Sequence, residues 1–159
     1  MIMLATYSNP AQLWLAAAAA QGGDAPEEHG DQADVETRSL RVLIVEDEFF
    51  ISLDTKRLLH KLGHVVVAVA VSADQAVDIA ERERPDVVLM DIRLIGTRDG
   101  IDAAEEIRRR LGIGSIFVTA NTDPRTRQRA AAVQPMGFLE KPLTEQRLRV
   151  GLQAVGDQQ

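Results

Sequence analysis

Residues 87–100 read VVLMDIRLIGTRDG, and this stretch decides the fold. Four apolar residues, Val87-Val88-Leu89-Met90, run straight into a carboxylate, Asp91. Pro85-Asp86 bounds the run on one side and a glycine-bearing loop on the other. A continuous apolar run of this length between turn signals reads as a fully buried parallel strand. In open α/β sheets the ligand crevice lies at the carboxyl ends of the strands, which is where Asp91 falls. A lone aspartate there would simply cap the next segment, so the other strand ends carry the decision.

Working outward from this strand, apolar runs alternate with helix-period segments. RVLIV precedes Glu46-Asp47, and residues 48–62 place Ile51, Thr55, Leu58 and Leu62 on one helical face before a Gly63 stop. HVVVAVAV is a second strand, and Ser72 with Gln75 forms a capping box for a helix burying Ala76, Ile79 and Ala80. After the 87–91 strand, Gly100 leads into a helix with Ile101, Ala104, Ile107 and Leu111 inward and Glu105-Arg109 and Glu106-Arg110 on its solvated side. GSIFVTA is the fourth strand, Asp123-Pro124 opens the next helix, MGFLE is the fifth strand, and Thr144–Val155 is a closing helix. This βα alternation predicts a doubly wound α/β fold, a five-stranded parallel sheet of the flavodoxin-like order 2-1-3-4-5.

The bulk numbers fit one such domain. Its 159 residues are 45% hydrophobic and 26% charged, as in a soluble globular chain. The absence of cysteine excludes disulfides, thiolate metal sites and a cysteine nucleophile. Of the net charge of -6, most belongs to residues 1–39, where six acids face Arg38 alone. Residues 40–159 are close to neutral, which argues against nucleic acid as a partner. AQLWLAAAAA is too short to span a bilayer and no Lys or Arg precedes it, so a membrane segment is not expected and a signal peptide is the competing reading. Residues 1–39 read as an acidic, disordered extension and 40–159 as the folded domain.

In the order 2-1-3-4-5, strands 1, 3, 4 and 5 end side by side at about 4.8 Å spacing. They deliver Glu46-Asp47, Asp91, Thr119 and Lys141 to one edge. Carboxylates about 4 Å apart repel by about 4 kcal/mol at an effective dielectric of about 20. A hard divalent cation removes that conflict, and all-oxygen ligation with retained waters suits Mg²⁺. Each residue also has a plainer role available: Glu46-Asp47 as a surface turn, Lys141 as a strand-exit charge, Thr119 as a β-branched strand residue. Arg125, Arg127 and Arg129 read as a solvated helix face rather than an anion site.

The set Glu46-Asp47, Asp91, Thr119-Ala120 and Lys141-Pro142, at these intervals, resembles the receiver domain of two-component response regulators. The resemblance covers residues 40–155. It implies that Asp91 is the phosphoryl acceptor from a histidine kinase or phosphotransfer protein, with Lys141 and Thr119 assisting. It implies a Mg²⁺ ion bound by Asp47, Asp91 and the backbone carbonyl of Arg93, and by Glu46 through water. It further implies a cis Lys141-Pro142 bond and a Thr119–Phe138 switch pair. The signal would leave through the 123–133 helix, strand 5 and the last helix, toward a protein partner or a second copy of the chain. Such a protein is cytoplasmic, and it assists its own phosphotransfer and dephosphorylation without being an enzyme in the usual sense. The DIRLIGTRDG loop is similar to a receiver subtype with one extra residue before its DG. Arg93 and Asn121 stand at the positions that tune phosphoryl lifetime in receivers.

Other readings stay open at this level: a phosphoryl shuttle or sink, a Mg²⁺-dependent phosphohydrolase acting through an aspartyl-phosphate, and a flavin-binding protein. The phosphohydrolase of the haloacid-dehalogenase type would need an aspartate where Arg93 stands, and a flavin site would need a Ser/Thr/Gly-rich loop where EDEFF stands.

Overall fold

The computed structural model of the chain describes residues 38–120 and 123–156. The expected extension therefore lies outside the described residues except for Arg38 and Ser39, and Asn121 lies outside them too. Strands β1 (Arg41–Val45), β2 (Val65–Ala70), β3 (Val87–Asp91), β4 (Gly114–Thr119) and β5 (Gly137–Glu140) alternate with helices. These are α1 (Phe49–Lys61), α2 (Ala73–Glu83), α3 (Gly100–Leu111), α4 (Pro124–Ala132) and α5 (Glu145–Gly156). The strands form one parallel sheet in the order β2-β1-β3-β4-β5, as the strand pattern predicts.

Every residue of β3 is buried, Asp91 included. That follows from its central place, because helices cover both sheet faces. Leu43, Val45, Val88, Met90 and Phe117 point to the face covered by α2 and α3. Val42, Ile44, Val87, Leu89, Ile116 and Val118 point to the face covered by α1 and α5. Adjacent strand residues thus serve opposite cores, which is why the strand sequences are apolar throughout rather than alternating.

The helix ends follow their capping chemistry. Asp123 accepts from the Arg125 and Thr126 amides ahead of α4, with Pro124 in the first turn. Asp99 and Asp102 form a reciprocal capping box at the start of α3. Ser72 accepts from the Gln75 amide, while the Gln75 side chain reaches back to Val71 rather than Ser72.

One expectation is refined. In α1 the fully buried positions are Ser52, Thr55 and Leu59, while Leu58 and Leu62 pack against the core half-buried and Ile51 is half-buried. Ser52 and Thr55 can face inward because each hydroxyl donates to a helix carbonyl, Phe49 at 2.8 Å and Ile51 at 2.9 Å. Two residues ahead of Leu40 also contact the sheet domain. The Ser39 hydroxyl donates to the Gly63 carbonyl at 2.7 Å, and Arg38 lies 3.6 Å from Asp86.

Candidate functional site

The site assembles where β1, β3, β4 and β5 end. Lys141, one residue past β5, places its ammonium 2.7 Å from Asp91 Oδ2 and 2.7 Å from Glu46 Oε2. The side chains are 15%, 9% and 5% exposed for Lys141, Asp91 and Glu46, so this is a shielded triad rather than a surface ion pair. The remaining oxygens are also satisfied. Asp91 Oδ1 accepts from the Arg93 amide at 3.0 Å, and Glu46 Oε1 accepts from the Glu48 amide at 3.1 Å.

Burial raises the Glu46 carboxyl above its ordinary range, outweighing the hydrogen bonds from Lys141 and the Glu48 amide. The Asp91 charge pushes the same way. At Lys141, burial alone would lower the ammonium, but hydrogen bonds to Asp91 and Glu46 outweigh it and hold it above its usual value. Two buried acids thus share one buried cation, and the arrangement remains short of positive charge.

Asp47, half-buried, completes the acidic group: ligand oxygens of Glu46, Asp47 and Asp91 lie within 4.8 Å of one another. This donor set is all oxygen and carries more negative charge than Lys141 offsets, so it fits a hard divalent cation such as Mg²⁺.

Thr119 ends β4 in a buried position, its hydroxyl donating to the Ala120 carbonyl at 2.8 Å. Its own carbonyl accepts from the Lys141 amide at 3.0 Å, so the backbones of the β4 and β5 ends are tied together. The Lys141-Pro142 bond is cis. Phe138 does not lie directly beside Thr119 across the β4–β5 pair. Its register partner on β4 is Phe117, while Thr119 faces Glu140. The Phe138 and Phe117 rings lie 5.7 Å apart. Phe138 thus reaches Thr119 only diagonally, two residues along the strand.

Three features of the neighbourhood are not legible in the local sequence. Gly100 opens α3 directly against Asp91: a Cβ there would fall 1.8 Å from the Asp91 carbonyl oxygen. Arg127 and Arg129 are not a merely solvated face. The Arg127 guanidinium sits 5.7 Å from the Phe138 ring centroid, and Arg129 pairs with Asp99 at 2.8 Å and Asp102 at 3.3 Å.

The family model described as response regulator receiver domain matches residues 42–153. Among curated relatives, the transcriptional regulatory protein PdtaR of Mycobacterium tuberculosis is 38% identical over 104 residues, covering 65% of this chain and 50% of that protein. The phyllosphere-induced regulator PhyR of Methylorubrum extorquens is 40% identical over 80 residues, covering 50% of this chain and 30% of that one. The chain thus spans half or less of the length of these relatives. Among solved structures, the signal receiver domain of a modulated diguanylate cyclase from Desulfovibrio desulfuricans superposes with a TM-score of 0.72 at 34% identity, covering 75% of this chain and 94% of that one. The receiver domain of PhyR from Erythrobacter litoralis gives 0.64 at 35% identity, with 74% and 90% covered. The match of one family over nearly all the described residues, on a sheet of this order, settles membership: the chain belongs to the response regulator receiver domain family.

Proposed function

We propose that the chain is a phosphorylation-controlled switch in which Asp91 accepts a phosphoryl group from a histidine side chain and the changed surface is read by a protein partner. The single observation that carries this reading is the Lys141 ammonium bridging Asp91 and Glu46 at 2.7 Å each. A carboxylate oxygen of Asp91 attacks phosphorus, the phosphorus–nitrogen bond to the donor imidazole breaks, and the nitrogen leaves with the electron pair. Lys141 already stands where it can neutralise a transferring phosphoryl oxygen, and the Thr119 hydroxyl can turn from the Ala120 carbonyl to donate to another. Asp47, Asp91 and the Arg93 carbonyl would hold Mg²⁺, with Glu46 acting through water. When bound, that ion supplies charge neutralisation to the transferring group.

The donor must reach a half-buried edge. Around that edge Phe49, Phe50 and Ile95 are 69%, 78% and 75% exposed, apolar surface that a histidine kinase or phosphotransfer protein would cover. Among the described residues no helix is long and apolar enough to cross a membrane, and we place the chain in the cytoplasm, where kinases of this class act. Output runs through α4, β5 and α5 to a downstream protein or a second copy of the chain. Residues 1–37 serve as an accessory acidic extension. Since the chain spans half or less of PdtaR and PhyR, the regulatory roles their names carry support only the general reading of regulation through partners.

The test is incubation with acetyl phosphate and Mg²⁺, followed by intact-protein mass spectrometry. One added phosphoryl group is expected in the parent and none in Asp91→Asn. Equal labelling of the variant would overturn the assignment.

A further inference from the structure

The regulation of this site depends on what holds α4, and α4 is poorly held by its core. Among its residues Ala130 alone is buried, whereas α2 and α3 each bury five. Two arginines supply what the core does not. Arg129 donates to Asp99 Oδ2 at 2.8 Å and to Asp102 Oδ1 at 3.3 Å. Asp99 is the cap of α3, accepting from the Ile101 and Asp102 amides at 3.0 Å each. The next residue, Gly100, donates to the Ile92 carbonyl at 2.9 Å and is pressed against the backbone of Asp91. A short rigid path therefore runs from the acceptor through the α3 cap to α4. One turn-half away on the same helix, Arg127 lies over Phe138, which packs on Phe117, two residues before Thr119 on β4.

We propose that Arg127 and Arg129 form a clasp that holds α4 in the resting position, tied at one end to the acceptor loop and at the other to the switch aromatics, and that phosphorylation releases it. The release half rests on the proposed phosphoacceptor function; the resting clasp does not. Both arginines are exposed, so each contact is weak. Weak contacts suit the role: a helix that buries only Ala130, with Val133 packed at its end, leans on two reversible arginine contacts that a charge change beside Asp91 can loosen.

The test is hydrogen exchange on the full chain. In the resting protein, Arg129→Ala and Arg127→Ala should each speed exchange of the α4 amides by about three- to fivefold, and the double variant by about tenfold or more. The α1 and α5 amides should not change. Asp99→Asn with Asp102→Asn keeps an N-cap and removes the charges, and should reproduce Arg129→Ala. Added salt should speed α4 exchange in the parent and leave Arg129→Ala unchanged. Beryllofluoride should bring the parent toward the double variant and add little to the double variant itself. Unchanged α4 exchange in the double variant would overturn the clasp. A parent that takes up phosphoryl groups without faster α4 exchange would overturn the release. A parent that takes up none, while the resting variants behave as expected, would refute the phosphoacceptor reading and leave the clasp standing.

Discussion

Lys141 is the residue on which both the stability of the site and its proposed chemistry turn. Removing it leaves Asp91 and Glu46 facing each other in a buried site with no cation between them. Breaking a buried ion pair from one side typically costs about 3–5 kcal/mol, and the partial exposure of this lysine brings the expected loss for Lys141→Ala to about 2–4 kcal/mol. Proton uptake by Glu46, whose carboxyl burial already raises, limits the loss. Mg²⁺ should restore more stability to Lys141→Ala than it adds to the parent, since a native-state ligand stabilises in proportion to its affinity. Denaturation midpoints with and without Mg²⁺ check this, and equal increments in both proteins would contradict it. His64 offers a second test, remote from the site. It is buried, its Nδ1 accepts from the Leu40 amide at 3.2 Å, and burial lowers its pKa below the ordinary 6.5. A depressed histidine contributes stability that is fully present above the unfolded value and is lost as pH falls through the folded one. The parent should therefore lose more stability than His64→Asn, which keeps an acceptor, between about pH 7.5 and about pH 5.5. Parallel losses in the two proteins would show that His64 does not titrate as described.

At the scale of elements, the contact between α3 and the end of β3 sets how tolerant the site is. A methyl group on Gly100 would meet the Asp91 backbone at 1.8 Å, and neither partner is a flexible side chain that can yield. Gly100→Ala should cost at least about 2–3 kcal/mol and should lower acetyl phosphate labelling by shifting the acceptor. Gly137, with nothing within 4 Å of its missing Cβ, is the control, and Gly137→Ala should fall within about 0.5 kcal/mol of the parent. Similar losses in both would refute the steric argument. What the sequence disclosed at this scale was local. The VVLMD run marks a buried strand because hydrophobicity without alternation has few other uses, and Asp123-Pro124 and Gly63 mark helix ends through backbone chemistry that neighbouring residues settle between them. The order of the strands followed from the βα alternation, and the meeting of Asp91, Glu46 and Lys141 followed from the order. The failures were non-local or off by a single position. Thr55 faces inward in α1 as its spacing predicts, but Ser52 and Leu59 are more deeply buried than Ile51 and Leu58, because helical periodicity fixes a face only to within one residue when small hydroxyl residues satisfy themselves. Phe138 faces Phe117 rather than Thr119 because register depends on packing across strands. The partners of Arg129 lie 27 and 30 residues away, beyond any pattern of spacing.

For the whole molecule, the question is how much chain the switch requires. Both faces of the sheet are covered by helices lying between Phe49 and Gly156, and among the described residues each core cluster draws on residues from Leu40 to Val155. The acidic group, Thr119 and Lys141 all stand on these same elements. We therefore expect residues 1–37 to be dispensable for the sheet, the cores and the proposed acceptor site. A chain beginning at Arg38 should therefore fold with a stability within about 0.5 kcal/mol of the parent and should still take up one phosphoryl group at Asp91. The next two residues are different. Ser39 closes the α1–β2 turn through the Gly63 carbonyl, and Arg38 faces Asp86, whose other carboxylate oxygen accepts from the Arg41 amide. A chain beginning at Leu40 loses both contacts, at a cost of about 0.5–2 kcal/mol. Denaturant midpoints and phosphoryl uptake of the parent and the two shortened chains decide the matter. A chain from Arg38 that fails to fold, or that folds and no longer accepts a phosphoryl group, would mean that the first 37 residues are part of the switch rather than an accessory to it.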